Sequence, residues 1–178
     1  AAAKVMDCGL LDVPGDAQGR MTGEALAELL ASDGGDGVFA VVASSGTTNA
    51  GVVDDLAGIS AVCREHGIWL HVDGAYGGAA LAAPSVAYRF VGIEHADSFV
   101  VDPHKWLFAP FDCCALLYRE PEHGANAHSQ FASYLESVDR SEWNPADFAV
   151  HLTRRARGLP FWFSLATYGT DRYREAIE

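Results

Sequence analysis

The chain has 178 residues and a formal net charge of −12, with 49% hydrophobic and 20% charged residues. That length suffices for one domain with a sizeable core and falls short of two ordinary ones, and the composition excludes a disordered chain. The negative charge disfavours nucleic acid and anionic membranes as partners, and no apolar run reaches the about 20 residues needed to span a bilayer.

Residues 1–6 lack the apolar segment of a signal peptide. The four cysteines, Cys8, Cys63, Cys113 and Cys114, form no C-x-x-C pair. In an α/β sequence they read as reduced thiols of a cytoplasmic protein.

In chain order, residues 22–31 read as a helix. Residues 37–44 (GVFAVVAS) read as a strand apolar on both faces, as parallel strands are. Residues 54–66 read as a second helix: Asp54 or Asp55 caps it, Leu56, Ile59 and Cys63 form its apolar stripe, and Gly67 ends it. Strands follow at 68–73, 97–102 and 113–118, the last beside the third. This alternation predicts an α/β fold with a mostly parallel sheet flanked by helices. Residues 121–144 are polar and read as a long loop. Residues 147–157 read as a helix, 158–160 (GLP) as an interruption, and 161–168 as the start of another helix.

Polar residues gather at the C-terminal ends of three strands, the edge where open α/β sheets bind ligands. Gly46-Thr47-Thr48-Asn49 follows the first, Asp73 closes the second, and Asp102-Pro103-His104-Lys105 follows the third. The only lysines are Lys4 and Lys105. Lys105 lies among His104, Trp106, Leu107 and Phe108, a setting that favours an uncharged, nucleophilic amine. A lysine snorkelling over an apolar loop reads equally well. Asp73 suits a partner for a protonated pyridine nitrogen, with His71 behind it on the same side of the strand; the alternative is a carboxylate capping the next turn. Ala75, Gly77 and Gly78 leave room for a flat ring to approach the backbone. A metal site built from His71, Asp73, His104 and a cysteine lacks any ligand spacing, so no metal is expected. The Gly46 turn lacks the Gly-Lys-Ser/Thr of a P-loop. Arg154, Arg155 and Arg157 read as cations meeting a helix dipole rather than as carboxylate binders.

Together, GTTNAGVVDD, IWLHVDGAYGG, ADSFVVDPHKW and FDCCALLY resemble the group II pyridoxal-phosphate-dependent decarboxylases, of aspartate aminotransferase fold, over about residues 10 to 170. The resemblance implies pyridoxal 5'-phosphate held as a Schiff base on Lys105, Asp73 on the pyridine nitrogen, Ala75 against the ring, and Thr48 and His104 beside the cofactor. The implied reaction is decarboxylation of an L-amino acid to the amine and carbon dioxide. Trp106 and Phe111-Asp112-Cys113 look most like the branch acting on aromatic amino acids. Action on diaminobutyrate, glutamate or cysteine sulfinate, an aldehyde-forming variant, and a non-catalytic remnant of the fold are the alternatives.

By the same resemblance, residues 1–120 form the central part of the cofactor-binding large domain. Residues 121–145 form a mobile loop, and residues 146–178 form helices leading toward a small C-terminal domain. The family resemblance further implies a cytoplasmic homodimer, an upstream segment that completes the phosphate site, and little turnover by this chain alone. Two departures stand out. Many members carry asparagine near the phosphate where this chain has Asp102, and the protonating tyrosine of the mobile loop has no match, Tyr134 lying too early.

Overall fold

The computed structural model describes residues 2–32, 35–129, 144–151 and 153–178. A short helix α1 (Ala2–Val5) is followed by α2 (Gly23–Ala31), β1 (Ala40–Ser44), α3 (Leu56–His66) and β2 (Trp69–Asp73). Three short 3-10 turns lead to β3 (Ser98–Val101) and β4 (Ala115–Tyr118), then α4 (Pro121–His128) and α5 (Gly158–Ile177). The sheet order is β1-β2-β3-β4, parallel between β1, β2 and β3 and antiparallel between β3 and β4. This is the predicted α/β architecture.

Two neighbouring carboxylates fix the helices to the sheet. Asp55 is the cap of α3, accepting from the Gly58 amide at 3.0 Å, and its other oxygen accepts from Gly23 at 3.3 Å, so one side chain serves the N-termini of both α2 and α3. Asp54 accepts from the Met21 amide at 2.7 Å and the Ser44 amide at 2.6 Å while only 8% exposed. Thr22 caps α2 through the Ala25 amide, and Gly67 ends α3 in the left-handed region at φ 65°.

The register puts Val41, Ala43, Leu70, Val72 and Phe99 on one face of the sheet. There they pack with Leu26, Leu56, Ile59 and Cys63 of the helices. The opposite face differs from expectation: Val42 is 61% exposed, because α2 and α3 cover the Val41 side only.

The second half departs further. Residues 121–128, expected as loop, form α4, whose first position is a proline with the φ a helix needs. Gly124 lets this helix lie against the Tyr118 ring. Residues 130–143, Tyr134 among them, fall outside the described residues. The helix expected at 147–157 is only a 3-10 turn, Pro145–Phe148. Its arginines bond tertiary partners instead: Arg154 donates to the Pro145 carbonyl, while Arg155 and Arg157 pair with Asp112. Conversely α5 begins at the tripeptide expected to interrupt it, since Pro160 sits in a first turn that needs no amide donor, and bends at Gly169. Its far end buries Tyr173 and Ile177, the latter against Ala79 and Ala83. Among the described residues no helix is long and apolar enough to cross a membrane.

Replacing Asp54 with alanine strands two amides inside the structure. The expected cost is about 2–5 kcal/mol, read as a lower urea midpoint at unchanged slope.

Candidate active site

Backbone hydrogen bonds draw the three strand-end loops into one layer. The Ser45 amide donates to the Asp73 carbonyl at 2.7 Å, Gly77 to Gly46 at 3.2 Å, Gly74 to Val100 at 3.0 Å, and Asp102 to Ala75 at 3.1 Å. Gly46 has φ 94°, and a Cβ on Gly77 would overlap the Gly46 Cα, so neither position accepts a side chain. After β3 the chain turns tightly: Lys105 donates to the Asp102 carbonyl and Ala109 to that of Pro103, both at 2.9 Å. Tyr76 and Trp106 stack at 5.6 Å between ring centres, joining the loop after β2 to the lysine loop.

The side chains at this edge differ in how firmly they are held. Thr47 is part of its own turn, its hydroxyl accepting from the Val52 amide at 3.1 Å, whereas Thr48 is exposed. The exposed Asp73 carboxylate accepts from the Ala75 amide at 3.0 Å through one oxygen. His71 shares the Asp73 face but bonds the Ser98 hydroxyl at 2.8 Å, as does the Trp69 indole at 3.0 Å. Burial lowers the His71 pKa more than the Asp73 charge raises it, so the ring is neutral at neutral pH. His104 holds Nδ1 at 2.6 Å from the Cys113 carbonyl. A carbonyl only accepts, so Nδ1 carries the hydrogen and the neutral ring keeps a basic Nε2.

Lys105 Nζ lies 2.7 Å from Asp102 Oδ2. Burial works to raise the Asp102 pKa, but the hydrogen bonds from Lys105 and Cys114 outweigh it and hold the carboxyl below its usual range. The Cys114 thiol is pushed up to about 12, first by burial and then by its bond to Asp102, so it remains a donor.

Lys105, His104, Asp73, Ala75 and Thr48 thus sit on loops of one sheet edge, as their sequence positions implied. Two expectations fail. Gly77 and Gly78 do not reserve space for a ligand: Gly77 packs on Gly46, and a Cβ on Gly78 would meet the Phe99 ring at 2.7 Å. The basic trio 154–157 meets no helix C-terminus; Arg157 precedes the start of α5. Sequence reasoning missed Asp102 as the partner of Lys105, although its i,i+3 spacing in a turn was a usable signal. A separate open cavity of about 760 Å³, lined by Arg20, Asp54, Asp55, Tyr88, Arg89 and Val91 among others, contains none of the five. Among the described residues no three His, Cys, Asp or Glu side chains gather to hold a metal ion.

An amine, a carboxylate, a hydroxyl and an imidazole on adjacent loops, with a small residue between them, suit a flat ring bearing an aldehyde and a basic ring nitrogen. The fold and donor set define an α/β protein of the pyridoxal-phosphate-binding kind. The family model for the pyridoxal-dependent decarboxylase conserved domain matches residues 1–178, and the chain belongs to that family, whose cofactor is pyridoxal phosphate.

Among its relatives, the aromatic-L-amino-acid decarboxylase of Drosophila lebanonensis is 37% identical over 171 residues, covering 94% of this chain and 42% of the relative. The 3,4-dihydroxyphenylacetaldehyde synthase of Aedes aegypti is 35% identical over 170 residues, covering 93% and 33% respectively. The crystal structure of Oryza sativa TDC with PLP and tryptamine superposes with a TM-score of 0.90 at 29% identity, covering 98% of this chain and 38% of that one. The chain therefore spans well under half the length of these relatives.

Gly77→Ala forces the loops after β1 and β2 apart. A loss of about 1–3 kcal/mol is expected in denaturant unfolding, with no such loss for alanine at exposed Thr48.

Proposed function

We propose that this chain is the central part of a cofactor-binding domain that decarboxylates an aromatic L-amino acid to its amine and carbon dioxide. The observation that carries the reading is the delivery of Lys105 and Asp73 to one sheet edge by adjoining parallel strands. In this reading residues 1–120 belong to the large domain, residues 121–145 to a loop over the site, and residues 146–178 lead to a further domain. The whole protein acts as a cytoplasmic homodimer on a small-molecule substrate, the amino acid.

Lys105 would be the attachment point for the cofactor aldehyde. Asp73 would accept a hydrogen bond from the ring nitrogen and keep a proton there; its Oδ1 bond to Ala75 fixes the carboxylate's angle. When bound, the cofactor supplies the electron sink for the carbanion left by carbon dioxide. Ala75 presents a small surface to the ring, and the Thr48 hydroxyl lies beside it. His104, locked by the Cys113 carbonyl, offers Nε2 to hold or move a proton on the substrate. The Tyr76–Trp106 stack ties the loop after β2 to the lysine loop.

A second reading is formation of an aldehyde from the same substrates. It is favoured by the similarity to a 3,4-dihydroxyphenylacetaldehyde synthase, which is nearly as close as that to the decarboxylase. A panel of amino acids offered to the full-length protein separates the readings: amine with carbon dioxide supports the first, aldehyde with peroxide the second, and neither product sinks both. Borohydride reduction after incubation with pyridoxal phosphate is expected to add the cofactor mass to the Lys105 peptide, and to add nothing in Lys105→Ala. Asp73→Asn should retain that attachment while lowering turnover by about 10²–10³-fold, as loss of a preorganised charge at the reacting system does.

A further inference from the structure

The Lys105–Asp102 pair has a chemical consequence of its own. An amine attacks an aldehyde only through its lone pair, so a charged Lys105 must first give up a proton. The partner at 2.7 Å is a carboxylate only 12% exposed, against 37% for the Lys105 side chain. The pair is built into the turn: the Asp102 amide is tied to Ala75, and the Lys105 amide to the Asp102 carbonyl, which fixes both side-chain roots. Beyond Lys105, the charged or titratable groups facing Asp102 are His104 from the same turn and Cys113 and Cys114 from the approach to β4. Cys114 donates to Asp102 as a thiol, and His104 adds to the lowering of the Asp102 pKa behind Lys105 and Cys114 while its Nδ1 bonds the Cys113 carbonyl.

We propose that Asp102 is a positioning residue for Lys105, an ion-pair partner that holds the amine in place and that the amine must leave before it attacks an aldehyde. An asparagine at this position would hold the amine only by a neutral hydrogen bond. Asp102 therefore acts on the amine and not on the phosphate. The carboxylate that would repel a phosphate is turned to the lysine instead. The proposal rests on reading Lys105 as the cofactor lysine only for its consequence; the pair itself is testable without cofactor.

Only two lysines occur in this sequence, and exposed Lys4 is an internal reference for Lys105. Limiting acetic anhydride acetylates uncharged amines, and peptide mass spectrometry of the full-length, cofactor-free protein reads both sites in one sample. Asp102→Asn is expected to raise the Lys105-to-Lys4 labelling ratio at neutral pH about tenfold, the effect of removing one adjoining opposite charge. Asp102→Glu, which keeps the charge, should retain the starting ratio. An unmoved ratio in Asp102→Asn, or the same change in both variants, would overturn the proposal, since either outcome means the carboxylate's charge is not what Lys105 feels.

Capture of pyridoxal, which lacks the phosphate, and of pyridoxal phosphate should then accelerate by the same factor in Asp102→Asn, read as borohydride-fixed mass on the Lys105 peptide. Acceleration confined to pyridoxal phosphate would set Asp102 against the phosphate and equally overturn it. Capture of neither aldehyde, with the labelling response intact, supports the ion pair and sinks the reading of Lys105 as the cofactor lysine.

Discussion

Gly46 and Gly77 meet backbone to backbone, with space for no side chain on either, and the candidate site depends on that contact. Parallel strands leave their C-terminal ends side by side, but the loops that follow are free to splay. Here the Gly77 amide bonds the Gly46 carbonyl, the Ser45 amide bonds that of Asp73, and the Asp102 amide bonds that of Ala75. A continuous run of main-chain bonds thus crosses from the loop bearing Thr48 to the loop bearing Lys105. Side chains on such a lattice inherit their separation from the backbone, which is the precision that a reacting site needs.

The acidic character of the chain is divided by location. Asp54 and Asp55 sit at the start of α3, where their oxygens satisfy amides of Met21, Gly23, Ser44 and Gly58. They hold the sheet to its covering helices. Asp73 and Asp102 serve the strand-end loops instead. Asp73 has an oxygen beyond its Ala75 bond for a ligand, and Asp102 is committed to Lys105. Asp112 belongs to neither group, and binds Arg155 and Arg157 from a segment more than forty residues away in sequence. Five of the 24 acidic side chains thus hold fixed hydrogen bonds or ion pairs at these places.

What the sequence made legible follows from how local the physics is. Caps at Thr22, Asp55 and Gly67 depend on neighbours a turn away, and α2, α3 and the strands β1 to β3 stand where their patterns predicted, while the short α1 was not foreseen. The resemblance supplied Lys105, Asp73, Ala75, Thr48 and His104 as a set; periodicity alone left Lys105 and Asp73 undecided. Tertiary partners explain the failures. Helix periodicity over 147–157 lost to ion pairs with Asp112, which local sequence cannot reveal. Polar composition over 121–128 hid a helix that forms because Tyr118 and Phe148 receive its Gly124. The glycines after Asp73 were read as room for a ligand, yet Phe99, far away in sequence, occupies that room. His71 was expected behind Asp73, but Ser98 across the strand pair is nearer to its ring nitrogen.

The loop carrying Lys105 is held from more sides than its length requires. Phe108 takes a left-handed backbone at φ 57°, a conformation that costs a residue with a Cβ about 1–2 kcal/mol. The Ala109 amide bond to Pro103 closes the turn around it, and the Phe108 ring lies 6.4 Å from Tyr173 of α5. On the other flank Trp106 stacks on Tyr76, while Asp112 holds the arginines that precede α5. Contacts from the loop after β2, from α5 and from the segment before it thus converge on residues 106–112. On the proposed reading Lys105 makes and breaks a covalent bond, which needs its root fixed while its tip moves. The root of Lys105 is fixed by these neighbours, and its tip is held by one carboxylate.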